Sequence, residues 1–199
     1  MMRYTMPTPA RISPFIFLTL MLLLETTPAS ATVYLPADFT EMVNASTFIV
    51  HGSVVDVRSE TTSDRRAIVT YVTVDVAQPL KGTPGVSVTF LVPGGQIGRY
   101  ERIVVGAPQF DRGDEVVLFL TSRGPSIPYV FGLSQGVYRV SRASGRALVV
   151  PPAVLVRQGE GNAAGRVVRG DPARRALPLD EFAREVRATA KSAAAERVR

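Results

Sequence analysis

Cysteine and tryptophan are absent from the 199 residues, and histidine occurs once, at His51. Without cysteine there is no disulfide, no thiolate nucleophile, no thiolate metal site and no lipid-attachment cysteine. A lone imidazole falls short of the three or four ligands that zinc takes, and no metal or other cofactor is expected. The fold must therefore rest on its apolar core alone. Long apolar runs are scarce too. The one candidate, residues 12–24, has 13 residues with Pro14 inside it, whereas a spanning helix needs about 20.

That run does fit a cleavable secretory signal. Arg3 and Arg11 precede it, no acid does, and Ala29-Ser30-Ala31 follows as a small-x-small cleavage site. Residues 1–31 are read as a signal peptide and the mature chain as starting at Thr32, in the periplasm or outside the cell. The cysteine-free composition leans toward a bacterial envelope. Asn44-Ala45-Ser46 spells a glycosylation acceptor that such a setting leaves unused. No other segment is long and apolar enough to span a membrane.

The remaining residues, 199 − 31 = 168, suit one domain. Charge is unevenly placed. Residues 32–156 carry 11 basic and 10 acidic side chains, and residues 157–199 carry 10 and 6. In the latter segment Asp171, Asp180, Glu181, Glu185 and Glu196 interleave with the arginines, and Phe182 is the single aromatic. This reads as a solvated tail and a charged helix face, with nucleic-acid binding disfavoured.

A short helix over residues 36–43 opens the domain, with Asp38 as cap and Glu41 closing a capping box. Strands follow. Residues 47–58 are β-branched and broken by Gly52, as at a bulge. Residues 68–76 and 86–92 alternate, with a turn at residues 80–85 between them. Residues 93–113 form a long loop with a possible short strand at 102–105. Residues 115–121 are so continuously apolar that both faces should be covered. Further strands are expected at 129–133, 137–140 and 147–150. Several strands punctuated by glycine and proline read as an all-β domain over 32–156. It is best fitted by a small Greek-key barrel of the oligonucleotide/oligosaccharide-binding type, with a β-sandwich as the alternative. Residues 157–177 are aperiodic and read as a linker. Residues 178–199 read as an amphipathic helix capped by Asp180, its stripe of Leu179, Phe182, Val186 and Ala190 docking on the barrel.

The run Thr47-Phe48-Ile49-Val50-His51-Gly52-Ser53, then Thr70-Tyr71-Val72-Thr73-Val74-Asp75 with Leu80-Lys81-Gly82, resembles a family of uncharacterised exported bacterial proteins. Pro93-Gly94-Gly95, Arg112-Gly113-Asp114-Glu115 and Gly132-Leu133-Ser134-Gln135-Gly136 extend the likeness over roughly residues 35–140, without implying an activity. More distantly, the strand order and the Lys81-Gly82 turn are similar to netrin-like domains, including tissue inhibitors of metalloproteases. Those inhibitors chelate zinc through an N-terminal cysteine. Here the mature chain would begin Thr32-Val33-Tyr34, so the resemblance implies a fold and not that chemistry.

Little catalytic chemistry is legible. Gly132-Leu133-Ser134-Gln135-Gly136 matches a nucleophile elbow, but that motif needs a following helix and a histidine later in the chain. A strand is expected after it, and His51 comes earlier. Asp111 to Glu115 cluster carboxylates without the alternation of a calcium loop. The leading expectation is a non-enzymatic module with no catalytic residues and no metal, binding an envelope or secreted protein, a peptide or a glycan through the 93–113 loop. Arg99, Tyr100, Arg102 and Phe110 are the candidate contact residues. A serine hydrolase using Ser134 and a structural accessory docked by the C-terminal helix are the alternatives.

Overall fold

The computed structural model describes residues 37–64, 66–142, 145–156, 166–169 and 175–196. The expected signal peptide and mature N-terminus, and most of the expected linker, lie outside them. The described residues belong to one compact unit, Val33–Arg199.

Alternating β-branched segments produce two 14-residue strands, β1 (Phe48–Thr61) and β2 (Ile68–Lys81), followed by β3 (Ser87–Pro93). A two-stranded ribbon comes next, β4 (Gly95–Ile97) with β5 (Tyr100–Arg102). Then come β6 (Glu115–Thr121), β7 (Tyr129–Val130), β8 (Val137–Ser141) and β9 (Leu148–Val150). The strands end with β10 (Ala153–Val156), β11 (Arg166–Arg169) and β12 (Leu177–Pro178). Helix α1 is Phe39–Ala45 and α2 is Leu179–Glu196.

Strand pairing closes a ring. β1 pairs antiparallel with both β2 and β6, β2 pairs with β3, β3 pairs parallel with β7, and β7 returns to β6. That order, β1-β2-β3-β7-β6-β1, is a closed barrel and not two stacked sheets. β8, β9 and β12 extend the sheet outward from β6. Gly52 sits at a register shift of β1 against β2, where an added Cβ would lie 2.1 Å from the Asp75 carbonyl oxygen. Only glycine lets the strands approach so closely.

Two cores result, and β6 divides them. Val116, Leu118 and Leu120 face the barrel interior with Val50, Val72 and Phe90. Val117 and Phe119 face outward into a second core with Ile49, Phe39, Tyr138 and Phe182. This is why β6 reads as continuously apolar: both of its faces are covered. The α2 stripe docks as expected, with Phe182, Ala183 and Val186 buried and Leu179 and Ala190 packed against them.

Several boundaries differ from expectation. β2 runs on through Pro79 to Lys81, because it keeps pairing with His51, Val50 and Ile49 of β1 across two register shifts. The Lys81 ammonium also donates to the carbonyls of Val43 (2.6 Å) and Ser46 (2.7 Å), tying the strand end to the C-terminus of α1. Helix α1 starts at Phe39 with Asp38 at the cap position, as expected, but the Asp38 side chain makes no capping hydrogen bond. In α2, Asp180 lies in the first turn and not at the cap. The short strand expected at 102–105 is instead β5, pulled forward by its pairing with β4. β7 stops at Val130, and β11, inside the expected linker, pairs with β10. Among the described residues no helix is long and apolar enough to cross a membrane.

Candidate functional site

The crossover from β3 to β6 covers one end of the barrel and carries the four residues read as contacts. Its anchor is Pro93-Gly94-Gly95. The Gly94 amide donates to the Ile68 carbonyl (3.0 Å), the Thr70 hydroxyl donates to the Gly94 carbonyl (2.8 Å), and Thr70 and Ser59 hydroxyls lie 3.0 Å apart. Gly95 has φ +134°, and a Cβ there would meet the Thr70 hydroxyl at 2.3 Å. The two glycines therefore let the β4–β5 ribbon fold back onto β1 and β2. Beneath the crossover lies a cavity of 340 Å³ lined by Ser59, Thr70, Arg102, Val104 and Phe110 among others.

Three of the four contact candidates are on the surface, and one is not. Arg99 lies over the Tyr100 ring (5.1 Å) and donates to its hydroxyl (3.1 Å). Arg102 donates to the Arg66 carbonyl (3.1 Å), bridging the ribbon to the β1–β2 turn. Phe110 is only 7 % exposed and packs edge-on against Phe90 at 5.3 Å. It belongs to the barrel core and is not a surface contact, because the ring is buried against Phe90. The residues missed are aliphatic: Ile103 and Val105 are 77 % and 83 % exposed, beside Tyr100 at 62 %. Their signal was an apolar run in a loop rich in turn residues, which reads equally well as a strand.

The carboxylate cluster feeding β6 is structural. Arg139 donates to Asp114 (2.5 Å), Arg112 pairs with Asp56, and the Asp111 amide donates to Asp114 (2.8 Å). At the start of β6, Glu115 accepts from the Arg142 guanidinium (2.6 and 2.7 Å) and lies 2.9 Å from His51 Nε2. The Arg142 hydrogen bonds chiefly hold the Glu115 carboxyl below its ordinary 4.5, against burial, with help from His51. In return the Glu115 hydrogen bonds push the Arg142 guanidinium further up from its already high ordinary value.

Ser134 lies in a loop pinched out between β7 and β8. The Gly136 amide donates back to Phe131 (3.0 Å), and the chain then runs into a strand, not a helix. Gly132 and Leu133 take left-handed conformations, φ 55° and 57°. An added Cβ at Gly136 would lie 2.9 Å from the carbonyls of Phe119 and Phe131, so that glycine serves close packing. The groove beside Ser134 is lined by Pro108, Gln109, Val137, Arg139 and Pro151 among others, with no histidine or carboxylate.

A second surface runs across the outside of four neighbouring strands. Arg58, Tyr71, Leu91 and Tyr129 stand side by side in register, with the Arg58 guanidinium 5.7 Å from the Tyr71 ring centre. A comparison with protein-family models, with curated proteins and with solved structures finds no match.

Proposed function

We propose that this chain is an exported, non-enzymatic module that binds an extended protein or peptide segment at the β3–β6 crossover. The observation that carries the reading is the crest of Tyr100, Ile103 and Val105, three large side chains left in solvent within six residues of each other. Scattered exposed aliphatics are ordinary; a cluster on one anchored loop is what an interaction site provides. β5 pairs with β4 on one side, and its other edge can accept a partner strand, as in recognition by strand addition. Burying Ile103 and Val105 would contribute about 1.5–3 kcal/mol each.

The test is selection of displayed random peptides on the mature domain, followed by titration of the winners. Ile103→Ser with Val105→Ser should weaken them by at least about tenfold without lowering the melting temperature. Peptides that bind the double variant as tightly as the parent would refute the site. A second reading, glycan binding, draws on the Arg58–Tyr71–Leu91–Tyr129 ridge. It crosses the outside of β1, β2, β3 and β7 and offers two rings for stacking, the kind of strand face on which some small barrels bind oligosaccharides. Tyr71→Ala abolishing retention on a glycan array, with peptide binding intact, would favour it.

A further inference from the structure

The linear sequence intersperses the C-terminal arginines with acids, but folding sorts them. Arg184 and Arg187 of α2 line the same groove as Arg142 and Arg146 from the β8–β9 turn. Of the acids in the first two turns of the same helix, Asp180 also lines it, whereas Glu181 and Glu185 do not. The groove has a volume of 640 Å³, and its apolar lining is Ala147, Pro178, Leu179 and Ala183.

The counter-charges facing this groove are few. Glu115, behind it, takes Arg142 through both carboxylate oxygens. Asp180, the one carboxylate lining the groove, reaches Arg184 at 3.6 Å with both side chains largely in solvent, a contact of little strength. Arg146 and Arg187 have no ion-pair partner among the described residues. Gathering four guanidinium groups in one concavity costs repulsion, which a bound anion would offset. Guanidinium forks suit phosphoryl oxygens, which can accept from several arginines at once. A groove of this volume is also much larger than an inorganic phosphate, and its apolar lining leaves room for an organic portion.

We propose that the groove between α2 and the β8–β9 turn binds a phosphorylated organic ligand. Arg146 and Arg187 hold the phosphoryl group, Arg142 and Arg184 flank it, and the organic portion lies on Leu179 and Ala183. This site is separate from the β3–β6 crossover and stands whether or not a peptide binds there.

The experiment is calorimetric titration of the mature protein with three probes: inorganic phosphate, glucose 6-phosphate and a dihexanoyl phosphatidic acid kept below its micellar concentration. Saturable one-to-one binding of at least one organic phosphate, tighter than inorganic phosphate, is expected. Preference for the lipid marks a membrane headgroup as the source, and preference for the sugar phosphate marks a free metabolite; both support the shared chemistry. Arg146→Gln with Arg187→Gln should weaken binding by roughly tenfold to a hundredfold for each guanidinium lost. Arg99→Gln with Arg102→Gln should leave it unchanged. If the groove double variant melts early, the exposed Arg146→Gln alone gives the readout. No saturation at millimolar probe, or equal losses in the two double variants, would overturn the proposal.

Discussion

Truncating Phe182 to alanine should destabilise the domain by about 4 kcal/mol. The ring is 2 % exposed and lies against three others, with centroids 5.1 Å from Tyr138, 5.8 Å from Phe39 and 6.4 Å from Phe119. Loss of the buried side chain accounts for about 1.5–3 kcal/mol, and each aromatic pairing adds about 0.5–1.5 kcal/mol. Rigid rings around the vacated space prevent full collapse, which places the cost inside the usual range for Phe→Ala of about 3–5 kcal/mol. For a domain of this size the melting temperature should fall by about 8–16 °C. Urea and thermal unfolding followed by circular dichroism give the number, with Val105→Ala as an exposed control. Hydrogen exchange should show α2 losing protection before β6 does. A loss below about 1 kcal/mol, or α2 amides that exchange freely in the parent, would refute the placement of this helix in the core.

Lys81→Met keeps most of the side-chain volume but leaves the α1 carbonyls without their ammonium donor, and should cost about 1.5–3 kcal/mol in urea unfolding. Gly95→Ala forces a Cβ against the Thr70 and Ser59 hydroxyls at a positive φ. It should cost about 1–3 kcal/mol, with protection lost first in the β4–β5 ribbon by hydrogen exchange. The folded Glu115 carboxyl titrates below 4.5, its unfolded value. Its contribution to stability is therefore present above about pH 4.5 and disappears as pH falls through the depressed value. Arg142→Gln should flatten that acid limb of the stability curve, and an unchanged limb would show that Glu115 is not what Arg142 holds. Fluorophosphonate should label neither the parent nor Ser134→Ala; a parent-specific adduct would revive the hydrolase alternative.

Much of the barrel was legible in the sequence because its signals are local. Period-2 alternation located β2 and β3, the unbroken apolar run of β6 announced a strand covered twice, and Gly52 marked the bulge. What was illegible depended on partners distant in sequence. Nothing near Pro79 shows that residues 78–81 pair with β1 beyond the Gly52 bulge, nor that the Lys81 ammonium meets α1. Phe110 sits among loop residues and looks available for contact; only the closed ring places Phe90 against it. The α2 arginines of the groove were hidden by the acids beside them in the chain, and Arg142 and Arg146 approach Arg184 and Arg187 only once α2 has docked. Ile103 and Val105 carried the composition of a strand, and their exposure follows from β4 pairing earlier residues instead.

The second core joins Ile49 to Phe182 and Val186, more than 130 residues later in the chain. Before α2 is available, the outward faces of β1 and β6 have only α1 and Tyr138 over them, so a polypeptide emerging from its N-terminus remains loosely packed. A chain that must thread a translocation pore benefits from such a delay, since a finished barrel could not pass. In an exported protein this arrangement would tie completion of the fold to arrival on the far side.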